Sequence, residues 1–92
     1  MTDNQILEVL KIDLGITAEI YNKILLPTIE SARAAITREG IKINDNIEDG
    51  MLIENYAAYL YRKRKEDVPM PRSLRWRLNN RLFSQKASED SG

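Results

Sequence analysis

The stretch MPRSLRWRLNNRLFSQK at residues 70–86 carries the reading of the whole chain. Pro71 suits the first turn of a helix, because it has no N–H to satisfy and its φ is already helical. Leu74, Leu78 and Leu82 then recur every four residues. They fall within about an 80° arc on a helical wheel, which is a core stripe. The spacing predicts a helix from Pro71 to about Gln85. Trp76 and Phe83 coincide with each other but point about 140–160° away from the middle of the leucines. A small bundle has no use for a helix with two opposed apolar faces, so either the helix is sandwiched inside the fold or the aromatic face meets a partner. Four of the five basic residues in this stretch are Arg. The planar Arg fork pairs bidentately with carboxylate or phosphate and stacks on aromatics. Trp and Arg are also the residue types enriched at binding hot spots. Arg72, Arg75, Arg77 and Arg81, grouped around Trp76 and Phe83, therefore read as a partner or oligomer interface.

Upstream, residues 66–70 form a hinge-like loop with Pro69, and before it the periodicity stays helical. Ile53, Tyr56, Ala57, Leu60 and Tyr61 line one face of a third helix that starts at a cap on Asn44, Asp45 or Asn46 and reaches about Lys65. Its last turn is the run Arg62-Lys63-Arg64-Lys65. Cations there complement the negative end of the helix dipole, which accounts for the run without any ligand, although Arg62 and Arg64 also count as interface candidates. Gly50, near the start of this helix, should cost about 1 kcal/mol against Ala. Ile41-Lys42-Ile43 alternates like a short extended piece.

A second helix is expected from about Ala18 to Glu39, capped by Thr17 and ended by Gly40. Its stripe is Tyr21, Leu25, Ile29, Ala32 and Ile36, and Pro27 lies inside it. The proline removes one backbone hydrogen bond and should bend the helix. Because the apolar phase carries through it, one bent helix is expected rather than two. The first helix runs over Ile6, Leu7, Leu10 and Leu14, with Thr2 or Asp3 as cap and Gly15 as stop. The fold class is therefore all-α, a small bundle of about four helices. Residues 1–86 form a single domain and residues 87–92 a flexible acidic tail.

Composition agrees. Ninety-two residues suffice for one small domain, and 42% are apolar, enough for a core. There is no Cys and no His. This excludes disulfides, thiolate zinc sites, thiol nucleophiles and His-based catalysis. No segment has the pattern of a signal peptide or the length of a membrane span, so the chain reads as soluble, of intracellular type, with no membrane partner. Glu48, Asp49 and Glu54 stand near a helix start, where acids serve capping and the dipole. Residues 45–54 lack the ligand spacing of a calcium loop. The glycines are scattered and make no phosphate loop. Ser73, Ser84, Thr17 and Tyr59 have no base beside them. No enzyme activity, cofactor or metal is expected.

Charge is balanced overall, with fourteen basic and fourteen acidic residues, but not locally. Residues 1–57 hold five basic and ten acidic groups, residues 58–86 nine basic and two acidic. Such a split points to a basic surface that meets something anionic, either nucleic acid or the acidic part of a neighbouring copy.

Taken in order, LKIDLGIT at 10–17, the proline-containing long helix, the acidic segment 47–50, YAAYLYRKR at 56–64 and the 70–86 stretch resemble the small head–tail connector (DNA-packaging adaptor) proteins of tailed phages. The resemblance covers roughly residues 6–86. It implies an all-α subunit without catalytic residues that assembles into a ring of about a dozen copies in the virion neck, after a period in the host bacterial cytoplasm. The ring would extend the DNA channel between the portal protein and a head-closure (stopper) protein. Double-stranded DNA would pass through without sequence-specific binding. In the family the C-terminal segment often engages the portal, which carries over here to residues 72–86. A charge-split chain suits the heterologous, head-to-tail contacts of a ring. On this reading Arg75, Arg77 and Arg81 pair with acids across an interface, and Trp76 and Phe83 anchor it. Two other readings fit the residues: a small DNA-binding regulator using the last helix for recognition, and a dimeric helical inhibitor or adaptor. Two prolines between the last helices, and a pI near 6.3, weigh against the first.

Overall fold

The computed structural model describes the backbone of residues 1–91 and the side chains of residues 1–89. It contains four α-helices and no strand among the described residues: α1 (Asp3–Leu14), α2 (Asn22–Arg38), α3 (Ile47–Glu66) and α4 (Arg72–Ser91). Its extents are 46 × 27 × 18 Å.

Local chemistry sets most of the helix ends. The Thr2 hydroxyl accepts from the Gln5 N–H, and the Gln5 side chain accepts from the Thr2 N–H, a complete capping box at the start of α1. Gly15 ends that helix at φ 70°, where a residue without Cβ is unstrained. Asn46 caps α3 by accepting from the Asp49 N–H at 2.7 Å. At the other end of α3, Asp67 takes the left-handed position at φ 49° that glycine usually fills.

Two expectations are revised. Thr17 does not cap α2. Ala18 is extended, a 3-10 turn occupies Glu19–Tyr21, and the α-helix begins only at Asn22, without a side-chain cap. Pro27 thus lies in the second turn of α2, which runs through it as one helix. The segment around Ile41-Lys42-Ile43 has no regular structure, although Ile41 is buried. Finally, α4 does not stop at Gln85. No Gly or Pro interrupts residues 86–91, and the helix continues to Ser91 through residues expected to form a flexible tail. Lys42 Nζ meets Glu89 Oε1 at 3.1 Å, and Gly92 lies outside the described residues.

The centre of the bundle is α3. Ile53, Tyr56, Ala57 and Tyr61 are buried as the stripe requires, but Leu52, Ala58 and Tyr59 are buried as well, and Leu60 only partly. A helix covered on several sides belongs in the middle, and α3 packs against α1, α2 and α4. Ile6, Leu7 and Leu10 of α1 and Leu25, Ile29, Ala32 and Ile36 of α2 close the core on one side, and Leu74 and Leu78 of α4 on another.

Candidate interaction surface

The stripe Leu74, Leu78 and Leu82 orients α4. The first two are buried, and Leu82 packs beside Gly40, its Cδ1 in van der Waals contact, 3.6 Å, with the position a Cβ there would take. Polar contacts fix the rest of the helix. Arg75 grips Glu39 with two nitrogens at 2.9 and 3.1 Å. Arg81 donates Nε and Nη2 to the two oxygens of Asp49 at 2.8 and 3.1 Å, and Nη2 also reaches the Lys42 carbonyl at 2.8 Å. The Gln85 amide bridges the Gly40 carbonyl and the Lys42 N–H. Arg77 donates to the Asn55 side chain of α3.

This geometry gives two of the expected interface residues partners within the chain. Arg75 and Arg81 pair with carboxylates of their own chain, because Glu39 and Asp49 sit within reach once the leucine stripe is packed. Arg62, still half exposed, also approaches an acid of its own chain, Asp13, at 3.7 Å. Three of the nine basic residues of 58–86 are therefore matched by acids from the N-terminal part of the same protomer. Asp49 is only 1% exposed. Burial opposes its ionisation, but the Arg81 hydrogen bonds, the Asn44 N–H at 2.8 Å and the Arg81 charge together hold its pKa below the usual carboxylate range. Arg75, through its hydrogen bonds, does the same for Glu39.

What remains on the outer side of α4 is the aromatic pair. Trp76 is 68% and Phe83 74% exposed, so the helix is not sandwiched and the second apolar face has no cover within the described residues. The Trp76 side chain borders two grooves. One, of about 260 Å³, lies against α3 and is lined by Met51, Leu52, Arg77 and Asn80; the other, of about 460 Å³, is lined by Met70, Arg72, Arg75 and Asn79. Arg72 and Arg77 are exposed and meet no carboxylate among the described residues. Arg64 lies away from this face and lines a groove on α2 and α3.

One buried acid is not apparent from the sequence reading. Glu54, grouped there with helix-start acids, is 2% exposed, and its Oε2 has no hydrogen-bond partner. Burial first, and then the neighbouring Asp13 carboxylate, push its pKa up to about 7, against a smaller opposing pull from Arg62 and Asn55. The spacing does hold the signal. Gly50, Glu54, Ala57 and Tyr61 share one helical face, and the other three are all buried.

No group of three or more acidic side chains among the described residues is placed to hold a metal ion, and no helix is long and apolar enough to cross a membrane. The chain matches no protein-family model, no curated protein and no solved structure.

Proposed function

We propose that this chain is a structural assembly subunit, a ring-forming head–tail connector of a tailed phage that joins the portal to the head-closure protein and continues the DNA channel. The observation that carries the proposal is the exposure of Trp76 and Phe83 on the side of α4 opposite its packed leucines. Two large aromatics on one helix face, rimmed by Arg72 and Arg77, have the make-up of an interface centre, where desolvated rings supply affinity and the cations supply register. The ordered resemblance of residues 6–86 supplies the identity of the partners. Trp76 and Phe83 are the anchors, and Arg72 and Arg77 the remaining polar contacts. Arg75 and Arg81 hold the helix that presents them.

A DNA-binding regulator built on α4 loses support in the fold. Two of the four arginines of that helix are engaged by carboxylates. The α3–α4 connection, residues 67–71, is also longer than the usual turn of about 3–4 residues in a helix-turn-helix.

The test is native mass measurement with negative-stain imaging at high protein concentration, with and without a phage portal protein. Rings of about a dozen copies, alone or on the portal, are expected for the wild type. Trp76→Ser/Phe83→Ser should keep its helicity and lose assembly. A stable dimer that ignores the portal, or tight duplex binding by a monomer, would overturn the proposal in favour of the adaptor or the regulator.

A further inference from the structure

Arg77 differs from Arg75 and Arg81 in the kind of group it meets. Those two grip carboxylates, whereas Arg77 donates to the side-chain oxygen of Asn55 on α3. An amide has N–H donors beside that oxygen. The Asn55 amide donates to the carboxyl of its neighbour Glu54, which is 2% exposed and has one oxygen without a partner. Glu54 is also in hydrogen-bonding contact with Asp13 of α1, and Asp13 faces Arg62 at 3.7 Å. The groups that act on Glu54 are thus Asp13 from α1, and Arg62 and Asn55 from α3 itself. No α2 side chain among the described residues is one of them, and α4 reaches it through Asn55.

Two carboxylates in contact repel, and a buried oxygen without a partner is costly. One proton answers both, because a neutral Glu54 carboxyl can donate to the Asp13 carboxylate. Burial and the Asp13 charge hold that proton on Glu54 up to about pH 7. The chain has no His, whose ordinary range lies there. When the proton leaves, the new charge stands where salt screens it poorly. Its donor is the Asn55 amide, whose oxygen Arg77 already holds. A negative charge one amide away from a guanidinium offsets the charge that the guanidinium presents outward. Arg77 lines the groove beside Trp76, so the change falls on the exposed aromatic face.

We infer that the proton on Glu54 regulates the Trp76 face. With the proton in place, Arg77 offers its full charge to an acidic partner beside the aromatic anchors. Without it, the Glu54 charge acts through Asn55 to offset Arg77, and the face becomes less attractive to acids. Linkage makes the effect reciprocal: a partner carboxylate on Arg77 favours the protonated Glu54. The inference rests on the assembly proposal for the partner alone, since the coupling from Glu54 to the Trp76 face operates in a single protomer.

Trp76 is the only tryptophan in the chain, so its fluorescence reports on this face without a label. The experiment compares quenching by iodide, an anion that local cations attract, with quenching by neutral acrylamide. It uses the full chain at dilution, from about pH 5 to about pH 8, with helicity and oligomeric state measured in parallel. The iodide-to-acrylamide ratio of the wild type should fall roughly 1.5-fold as pH rises through about 7, the effect of one screened unit charge nearby. Glu54→Gln should hold the ratio at its low-pH value throughout. Asn55→Ala should lose most of the response while its urea midpoint still declines with pH, which separates the coupling from the titration itself. Arg77→Gln should lower the ratio at every pH. A level wild-type ratio, a response that survives Glu54→Gln, or one that Asn55→Ala leaves intact would overturn the inference. Rings with a level ratio would leave the assembly proposal standing alone, and the response without rings would leave this one.

Discussion

Arg81 of α4 and Asp49 of α3, separated by 32 positions in the chain, form a two-point ion pair with the carboxylate almost wholly out of solvent, Nε on Oδ1 at 2.8 Å and Nη2 on Oδ2 at 3.1 Å. The same carboxylate accepts the Asn44 N–H, and the same guanidinium reaches the Lys42 carbonyl. One pair thereby ties together α4, the start of α3 and the segment that leads from α2. The apolar contribution of α4 is small, with only Leu74 and Leu78 fully buried. The helix that presents Trp76 and Phe83 depends on a charge contact for its position.

Removing one member of such a pair is worse than removing both. Arg81→Met leaves a buried carboxylate without its cation and should destabilise the fold by about 3–5 kcal/mol. Arg81→Met/Asp49→Asn should recover much of this, since the amide oxygen can still accept from Asn44 and no charge remains. Urea midpoints of the wild type, both single variants and the double variant give the coupling. A loss of only about 1 kcal/mol or less for Arg81→Met would class the pair with exposed ion pairs and remove its anchoring role.

Gly50 gives a prediction opposite in sign to helix propensity. Replacing it with Ala in an exposed helix should gain about 1 kcal/mol. Here the residue is buried under the Met1 side chain, and a Cβ at position 50 would stand 2.5 Å from Met1 Sδ and 2.8 Å from Met1 Cβ and Cγ. Gly50→Ala should therefore lower the thermal midpoint, because Met1 must leave its seat on the start of α3. A raised midpoint would show that Met1 moves aside without loss.

These two sites mark what can be read from the sequence. Thr2 with Gln5, Gly15, Asn46 and the Leu74-Leu78 stripe all act within a few residues of themselves, and each appears in the fold as local chemistry requires. That Trp76 and Phe83 stand opposite the leucines follows from the same wheel, but their exposure does not, since a helix sandwiched in the core would have the same pattern. The partners of Arg75 and Arg81 do not, since they lie 36 and 32 residues away and are fixed only when α4 docks. Thr17 fails as a cap because the chain tightens into a 3-10 turn before α2, a choice that no single residue announces. Glu54, read together with the acids of the helix start, is the eighth residue of α3, and that grouping hides the fact that its face of the wheel is shared with buried positions.

Asp67 offers a stabilising change. At φ 49° it holds a left-handed conformation that disfavours a Cβ, and its N–H closes α3 on the Lys63 carbonyl. Asp67→Gly relieves the strain of about 1–2 kcal/mol that the left-handed region imposes on L-residues. It also gives the unfolded chain more freedom, worth about 0.4–1 kcal/mol in the other direction. A net gain of about 0.5–1 kcal/mol is expected in denaturant titration. A loss would mean that the Asp67 carboxylate has a stabilising role beyond the cap.

Glu54 predicts how stability depends on pH near neutrality. An unfolded Glu releases its proton near pH 4.3, whereas burial and the Asp13 charge hold the folded residue at about 7. Between these values the native state binds more protons than the unfolded state, so stability falls as pH rises and the full penalty is present above about pH 7. Its size is on the order of 3 kcal/mol. Asp49 and Glu39 have the opposite shift. Their contribution is present above the ordinary carboxylate range and is lost in acid as pH falls through their lowered folded values, so they leave the neutral window alone. From about pH 5 to about pH 8 the slope belongs to Glu54, and the wild-type urea midpoint should decline across that range. Glu54→Gln should flatten the profile and raise the midpoint at about pH 8 while changing little at about pH 5. Asp13→Asn, by removing the facing charge, should displace the decline to higher midpoints without abolishing it. A wild-type profile that stays level across the window would show Glu54 ionised in the fold at neutral pH, with Arg62 or solvent supplying the counterpart its buried oxygen lacks.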